Sequence, residues 1–233
     1  VPKLEAGASS TEDCQMLPLN VANVQKIIAV PTILLEVGCA VGNGLLPMLR
    51  ANQSLFGIGC DLSPIAIDLL KHKEEYQCGR CLAFASDVSH GSEGQPSAEH
   101  HALEDALPPA CLDYATLIFV LSAIAPELHV DVLRRLHSRL RPGCIVFFRD
   151  YGHTDLAQLR FSEGHWLGGN LYVRGDGTLS YFFTVEDLRS LFDAAGFTTV
   201  ACEYKRNTIV NRSTGIQMNR VWVQGRFRSR AIG

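Results

Sequence analysis

Positively charged residues are in short supply in this 233-residue chain: 21 Lys and Arg face 24 Asp and Glu, for a net charge of −3. That balance is poor for gripping a polyanion through the overall field. Long apolar runs are missing too. None reaches the ~18–20 residues of a membrane helix, so no membrane partner is expected. Residues 1–20 have neither the basic start nor the apolar middle of a secretory leader, and none is expected. The chain starts at Val1 rather than Met, and it is expected to be a piece of a longer protein. Cysteine is not scarce, at eight residues, but partners that would give it a special role are. Most of the cysteines sit in apolar runs, where Cys acts as a small buried hydrophobe. A disulfide framework is not expected in a chain of this length without a leader. Cys78-Gly79-Arg80-Cys81 is a CxxC with no second pair, and only His100 and His101 lie near. A turn entering a strand is preferred there, and no metal is expected.

What is present suits one α/β domain with a full core: 47% of the residues are hydrophobic and 19% charged. The most informative stretch is Glu36-Val37-Gly38-Cys39-Ala40-Val41-Gly42-Asn43. It follows apolar Ile33-Leu34-Leu35 and precedes Leu45-Leu46-Pro47-Met48-Leu49, which reads as strand, glycine-rich turn and helix. Glycine lets the backbone approach a ligand that a Cβ would exclude, and a helix start offers free N–H groups. Leu55-Phe56-Gly57-Ile58-Gly59-Cys60-Asp61 is a second strand ending in an acid, which can accept both ribose hydroxyls of an adenosine cofactor. Ser86-Asp87-Val88 ends a third; its carboxylate or the next backbone N–H can read an adenine amine. The dinucleotide fingerprint wants glycine at the first, third and sixth positions, and from Gly38 the latter two are Ala40 and Asn43. S-adenosylmethionine is therefore the expected cofactor, with Glu36 holding the turn or approaching the methionine end.

Along the chain, residues 1–32 read as a flexible lead-in with a short edge helix, Val21 to Val30. Residues 33–233 read as the main domain. Strands are expected at Ile33–Gly38, Leu55–Cys60, Cys81–Ser86, Leu112–Leu121 and Cys144–Arg149. Helices alternate with them: one capped by Ser63 with Pro64 at its first position, and one from Pro126 to Leu140 with Leu128, Val132, Leu133, Leu136 and Leu140 on one face. This alternation predicts a doubly wound, mostly parallel sheet. Thr184 caps a further helix to Ala195, and Phe197–Tyr204 and Asn219–Phe227 form a final antiparallel pair. Residues 89–110 read as a polar, mobile loop. Residues 151–183 hold seven of the chain's aromatics together with Arg160 and Arg174, which marks a functional loop. Lys205, Arg206, Arg212, Arg220, Arg226, Arg228 and Arg230 crowd the last segment, and Arg134, Arg135, Arg139, Arg141 and Arg149 make a second group. Both are open to two readings, solvated faces or a phosphate-tracking surface.

Ile118-Phe119-Val120-Leu121-Ser122-Ala123-Ile124, Phe148-Arg149-Asp150-Tyr151-Gly152, Leu159-Arg160-Phe161 and the run from Tyr172 to Thr184 resemble the eukaryotic methyltransferase-like enzymes that make 3-methylcytidine in tRNA anticodon loops. The resemblance runs from about Leu35 to Phe227. It implies a class I methyltransferase fold, a seven-stranded sheet with an antiparallel C-terminal strand. It implies S-adenosylmethionine held by Gly38, Gly42, Asp61, Asp87, Val88 and Ile118, with Glu36 of the turn the further candidate read from the sequence itself. It places Arg149, Asp150 and Tyr151 beside the transferable methyl and implies tRNA as partner; an aminoacyl-tRNA synthetase is a candidate helper, and a cytoplasmic location is expected, with nuclear and mitochondrial ones left open. Arg160, Phe161, Tyr172, Arg174 and Tyr181 are the candidates for substrate binding. Asp150 is expected to meet the amino edge of the base, and Tyr151, Phe161 and Tyr172 to stack on it. Two departures stand out. Ala40 replaces the middle glycine of the family's turn, and the family's aromatic N-terminal segment is missing. They leave two alternatives: a methyltransferase for a small molecule or protein, and a non-catalytic binding protein.

Overall fold

The structure, a computed structural model, describes residues 32–210 and 217–231. The expected lead-in, the Val21–Val30 helix and Arg212 lie outside the described residues. Strand β1 (Thr32–Val37) is an inner strand of a seven-stranded sheet. Helix α1 (Leu45–Ala51), β2 (Leu55–Asp61), α2 (Pro64–Lys71), α3 (Glu74–Gln77) and β3 (Cys81–Ala85) follow. After them come α4 (Leu103–Ala106), β4 (Leu112–Ile118), α5 (His129–Arg139) and β5 (Leu140–Tyr151). The segment beyond holds α6 (Leu156–Leu159), β6 (Trp166–Gly168), β7 (Leu171–Val173) and β8 (Leu179–Tyr181), and α7 (Val185–Ala194), β9 (Phe197–Val210) and β10 (Gln217–Ser229) complete the fold. The sheet order is β3-β2-β1-β4-β5-β10-β9, with β10 antiparallel to both neighbours and every other pairing parallel. This is the expected seven-stranded sheet with an antiparallel C-terminal strand.

Local chemistry explains the boundaries. Ser63 Oγ accepts from Ala66 N at 3.2 Å, and Pro64 occupies the first helical position, as P-at-N1 geometry favours. Thr184 and Asp187 cap each other reciprocally at the start of α7, which satisfies two orphan N–H groups. The helix expected from Pro126 begins as a single 3₁₀ turn and becomes α-helical only at His129. Its Val132, Leu133 and Leu136 are buried against a core that includes Phe148, Phe183, Phe192 and Phe227. Burying side chains of this size contributes roughly 1.5–3 kcal/mol each.

Three expectations need correction. β4 stops at Ile118 rather than Leu121, because Phe119 turns into the left-handed region at φ 57°. Residues 89–110 are tied down rather than loose: Ala102, Leu103, Ala106 and Leu107 are buried, and Arg135 reaches across to Glu104 and to the Ser89 carbonyl. The final two strands run longer than expected, to Val210 and from Gln217, as a ribbon that extends past the end of β5.

Candidate functional site

The C-terminal ends of β1, β2, β4 and β5 lie on one edge of the sheet, as parallel pairing requires. That edge is where open α/β sheets bind ligands. The turn after β1 is built tightly. Gly38 has φ 69°, and a Cβ there would sit 2.4 Å from Val120 Cγ2. The glycine thus admits the Val120 loop that follows β4. Gly42 also has a positive φ, 87°. Ala40 lies in the same left-handed region at φ 46°, a conformation that costs an L-residue about 1–2 kcal/mol. Its N–H donates to Asp61 Oδ2 at 2.8 Å, and Ser63 N donates to Asp61 Oδ1 at 2.9 Å. A carboxylate has about four lone-pair sites, so each Asp61 oxygen keeps room for one more donor.

Glu36 is buried, and its Oε2 accepts from Leu45 N at 2.7 Å. It holds the turn onto the start of α1, which is one of its two expected roles. A Cβ on Gly44 would meet Glu36 Oε1 at 2.1 Å. Burial pushes the Glu36 carboxyl up to about 7, opposed by the Leu45 N–H bond. The folded chain therefore keeps a proton between pH 4.5 and about 7 that the unfolded chain loses. Stability contributed by this group is full at low pH and falls as pH rises through that window. Glu36→Gln is expected to remove the fall, gaining up to about 3 kcal/mol over wild type between pH 5 and 8 in denaturant titrations.

Asp87 follows β3. Burial raises its carboxyl, but bonds from Ser89 and His90 outweigh that and hold it below the usual range. Oδ1 accepts from the Ser89 N–H and hydroxyl, and Oδ2 contacts His90 Nδ1 at 3.1 Å. Val88 beside it is buried. Ile118 faces the other way along the sheet. With Phe147, Arg149, Gln224 and Arg226 it lines a groove of about 440 Å³ on the face opposite α5.

The second half of the site is aromatic and cationic. Tyr151 ends β5 and lies beside Trp222 of β10 in the sheet register. Phe119 meets both, with ring centroids 5.0 Å from Tyr151 and 6.0 Å from Trp222. The Arg149 guanidinium lies 5.2 Å from the Trp222 ring, and Arg174 lies 5.4 Å from Tyr151. Arg220 is 5.8 Å from Tyr151 and 5.9 Å from Trp222. Asp155, fully buried at the head of α6, accepts from Arg220 Nε, Val221 N and Ala157 N. It fastens the 151–183 segment to β10. Phe119, Asp155 and Trp222 were not singled out from sequence, and Arg220 stood out only as one of the basic group of the last segment. Of the first three, Asp155 alone left a signal, as a cap-type residue just before apolar Leu156.

Other predicted residues are placed elsewhere. Asp150 is fully buried; Oδ2 accepts from Ser122 N at 3.0 Å and Oδ1 from Tyr151 N at 2.8 Å. Burial raises its carboxyl to about 6, against those bonds. Its side chain leaves the sheet on the face of Val146 and Phe148, both buried. The expectation that Asp150 meets a base is therefore replaced: it positions the Phe119–Ser122 turn. Phe161 and Tyr172 stack on each other at 4.9 Å and pack on buried Phe182, so they form a small local core rather than a free stacking platform. Tyr181 packs on His129 and Phe183 on the α5 side, away from the arginines. Arg160 is exposed at the end of α6.

A methyltransferase domain model matches residues 15–202. The chain belongs to that methyltransferase domain family. It is 45% identical over 196 residues to the tRNA N(3)-cytidine methyltransferase METTL2 of Xenopus tropicalis, covering 83% of this chain and 55% of that one. It is 45% identical over 195 residues to the tRNA N(3)-cytidine methyltransferase METTL6 of Rattus norvegicus, covering 84% and 64% respectively. The methyltransferase domain therefore spans about half to two thirds of the length of these relatives. Among solved structures, the 1,6-didemethyltoxoflavin-N1-methyltransferase of Burkholderia thailandensis with bound S-adenosylhomocysteine shares the fold, with a TM-score of 0.56 and 21% identity over 90% of this chain and 76% of that one. The domain's own geometry fits S-adenosylmethionine: Asp61 keeps lone pairs for two ribose hydroxyls, and the Gly38–Gly42 turn runs directly beside it. Ala40→Gly is expected to relieve backbone strain and methyl crowding and to tighten S-adenosylhomocysteine binding about fivefold by calorimetry, the equivalent of about 1 kcal/mol. Equal or weaker binding would show that the turn has adapted to the methyl.

Proposed function

We propose that this chain carries the catalytic domain of a tRNA methyltransferase that forms 3-methylcytidine in the anticodon loop, using S-adenosylmethionine. The observation that carries the reading is the meeting, on one sheet edge, of an Asp61-anchored cofactor turn with the aromatic and arginine group around Tyr151. Adjacent strands are about 4.8 Å apart, so β5 lies some 10 Å from β1, which suits a substrate base beside a cofactor. The tRNA substrate named for the relatives supports the same reading.

The cytosine ring nitrogen already carries a lone pair, so no general base need precede attack. S-adenosylmethionine, when bound, supplies a methyl on a positively charged sulfur. This chain's residues position the partners. Asp61 orients the ribose end, and Glu36 and Asp150 fix the two turns that frame the site. Tyr151 and Phe119 offer ring faces to a base already unpaired in a loop. Positioning of this kind is worth ~7–11 kcal/mol of barrier.

The test is transfer of tritiated methyl to bulk tRNA under single-turnover conditions. The isolated chain is expected to be slow, because its net charge is −3 and affinity for nucleic acid rises with the number of phosphates neutralised. Upstream sequence from a longer form, or a tRNA-bound helper such as an aminoacyl-tRNA synthetase, is expected to accelerate it. Fractionation of cells is expected to find the protein in the cytoplasm. Transfer to protein or small molecules but not to tRNA would overturn the reading.

A further inference from the structure

Arg149, Arg174 and Arg220 share one feature: each is pinned by its Nε end. Arg149 Nε and Nη2 donate to the Gln224 amide oxygen, Arg174 Nε to Ser180 Oγ at 2.6 Å, and Arg220 Nε to Asp155 Oδ2 at 3.0 Å. Among the described residues no acceptor meets Arg149 Nη1 or either Nη of Arg174 and Arg220. Only Arg220 is paired with a carboxylate, since Gln224 and Ser180 are neutral. The Trp222 indole N–H is buried beside Arg149 and Arg220 and also lacks a partner. The result is a set of donors without acceptors, with three positive charges and one buried negative one, around the Tyr151 and Trp222 rings.

A ligand that completes this set must be an acceptor on every side and carry negative charge. It must also tolerate ring faces next to that charge. Phosphate oxygens with an adjoining base meet both demands. A side-chain carboxylate meets only the first. We propose that Arg149, Arg174 and Arg220, with Trp222, clamp two successive phosphodiesters of single-stranded RNA that flank the base at Tyr151. This rests on the RNA reading above and adds Arg220 and Trp222, both on β10, as substrate-holding residues. Asp155 acts through Arg220: it takes the Nε–H and leaves both Nη groups available to a ligand. Freezing the forks before binding reduces the side-chain entropy lost on contact.

The measurement is fluorescence anisotropy of a labelled single-stranded heptaribonucleotide, titrated from 50 to 200 mM salt, with S-adenosylhomocysteine calorimetry as a fold control. Arg220→Gln and Arg174→Gln are each expected to weaken RNA binding about tenfold at 100 mM salt. Each is expected to lower the slope of log K against log salt by about one. Cofactor affinity is expected to stay within twofold. Arg174 has a neutral buried partner, Ser180, and no buried counter-charge, so its variant keeps the proposal testable if Arg220→Gln fails to fold. Unchanged slopes in both variants, with a wild type that still methylates tRNA, would overturn the clamp and leave the enzyme reading standing. No RNA binding and no transfer to tRNA by wild type, even with upstream sequence or cell extract supplied, would overturn both. Equal competition by polyglutamate would overturn the phosphate assignment.

Discussion

Asp61→Ala is expected to bind S-adenosylmethionine at least a hundredfold more weakly than wild type while remaining folded. Two effects add. The mutant loses two charge-assisted hydrogen bonds to the ribose, worth about 1.5–3 kcal/mol each. It also loses the acceptor for Ala40 N, the one bond that ties the strained turn residue to β2. Ala40 sits at φ 46°, and a strained residue persists only where its surroundings hold it. Calorimetric titration together with circular dichroism checks the result. Wild-type affinity in a folded Asp61→Ala protein would remove Asp61 from the site.

Asp155→Ala is expected to be the most destabilising single change near the site, by about 3–5 kcal/mol, since it leaves Arg220 without its buried counter-charge. Asp155 also accepts from Val221 N at 2.7 Å and Ala157 N at 2.8 Å, so two backbone donors are orphaned with the guanidinium. For a domain of this size the melting temperature is expected to drop by roughly 10 °C. The 151–183 segment should loosen first, because Asp155 joins it to β10. Hydrogen exchange localised to α6 and β6–β8 at temperatures below the global transition would report this. A variant with an unchanged transition and unchanged exchange would show that other contacts hold the segment.

Much of the cofactor half was legible in the sequence because it is local. The strand, the Gly38–Gly42 turn and the helix follow one another directly, and Asp61 ends a recognisable strand. Ser63 and Thr184 announce helix starts by residue type alone, and the structure has both capping bonds. The substrate half was less legible because it is assembled across the sheet. Arg220 and Trp222 reach Tyr151 only through the β5–β10 register, and no spacing along the chain gives that register. Phe119 lies within an apolar run that has no glycine or proline to mark its left-handed turn. Asp150 looked catalytic beside Arg149 and Tyr151, yet alternation along β5 turns it to the opposite face, where it is fully buried. The strands β6, β7 and β8 have three residues each, too short to leave a period. The polar look of residues 89–110 hid Ala102, Leu103, Ala106 and Leu107, whose helical spacing was present to be read.

The measurement that tests the central claim most directly is nucleoside mass spectrometry of tRNA after reaction with isotopically labelled S-adenosylmethionine, with upstream sequence or cell extract supplied. The account predicts label in 3-methylcytidine, located by fragment mapping to the anticodon loop and absent with Asp61→Ala. Label in a different nucleoside, or label in 3-methylcytidine that persists undiminished with Asp61→Ala, would contradict it.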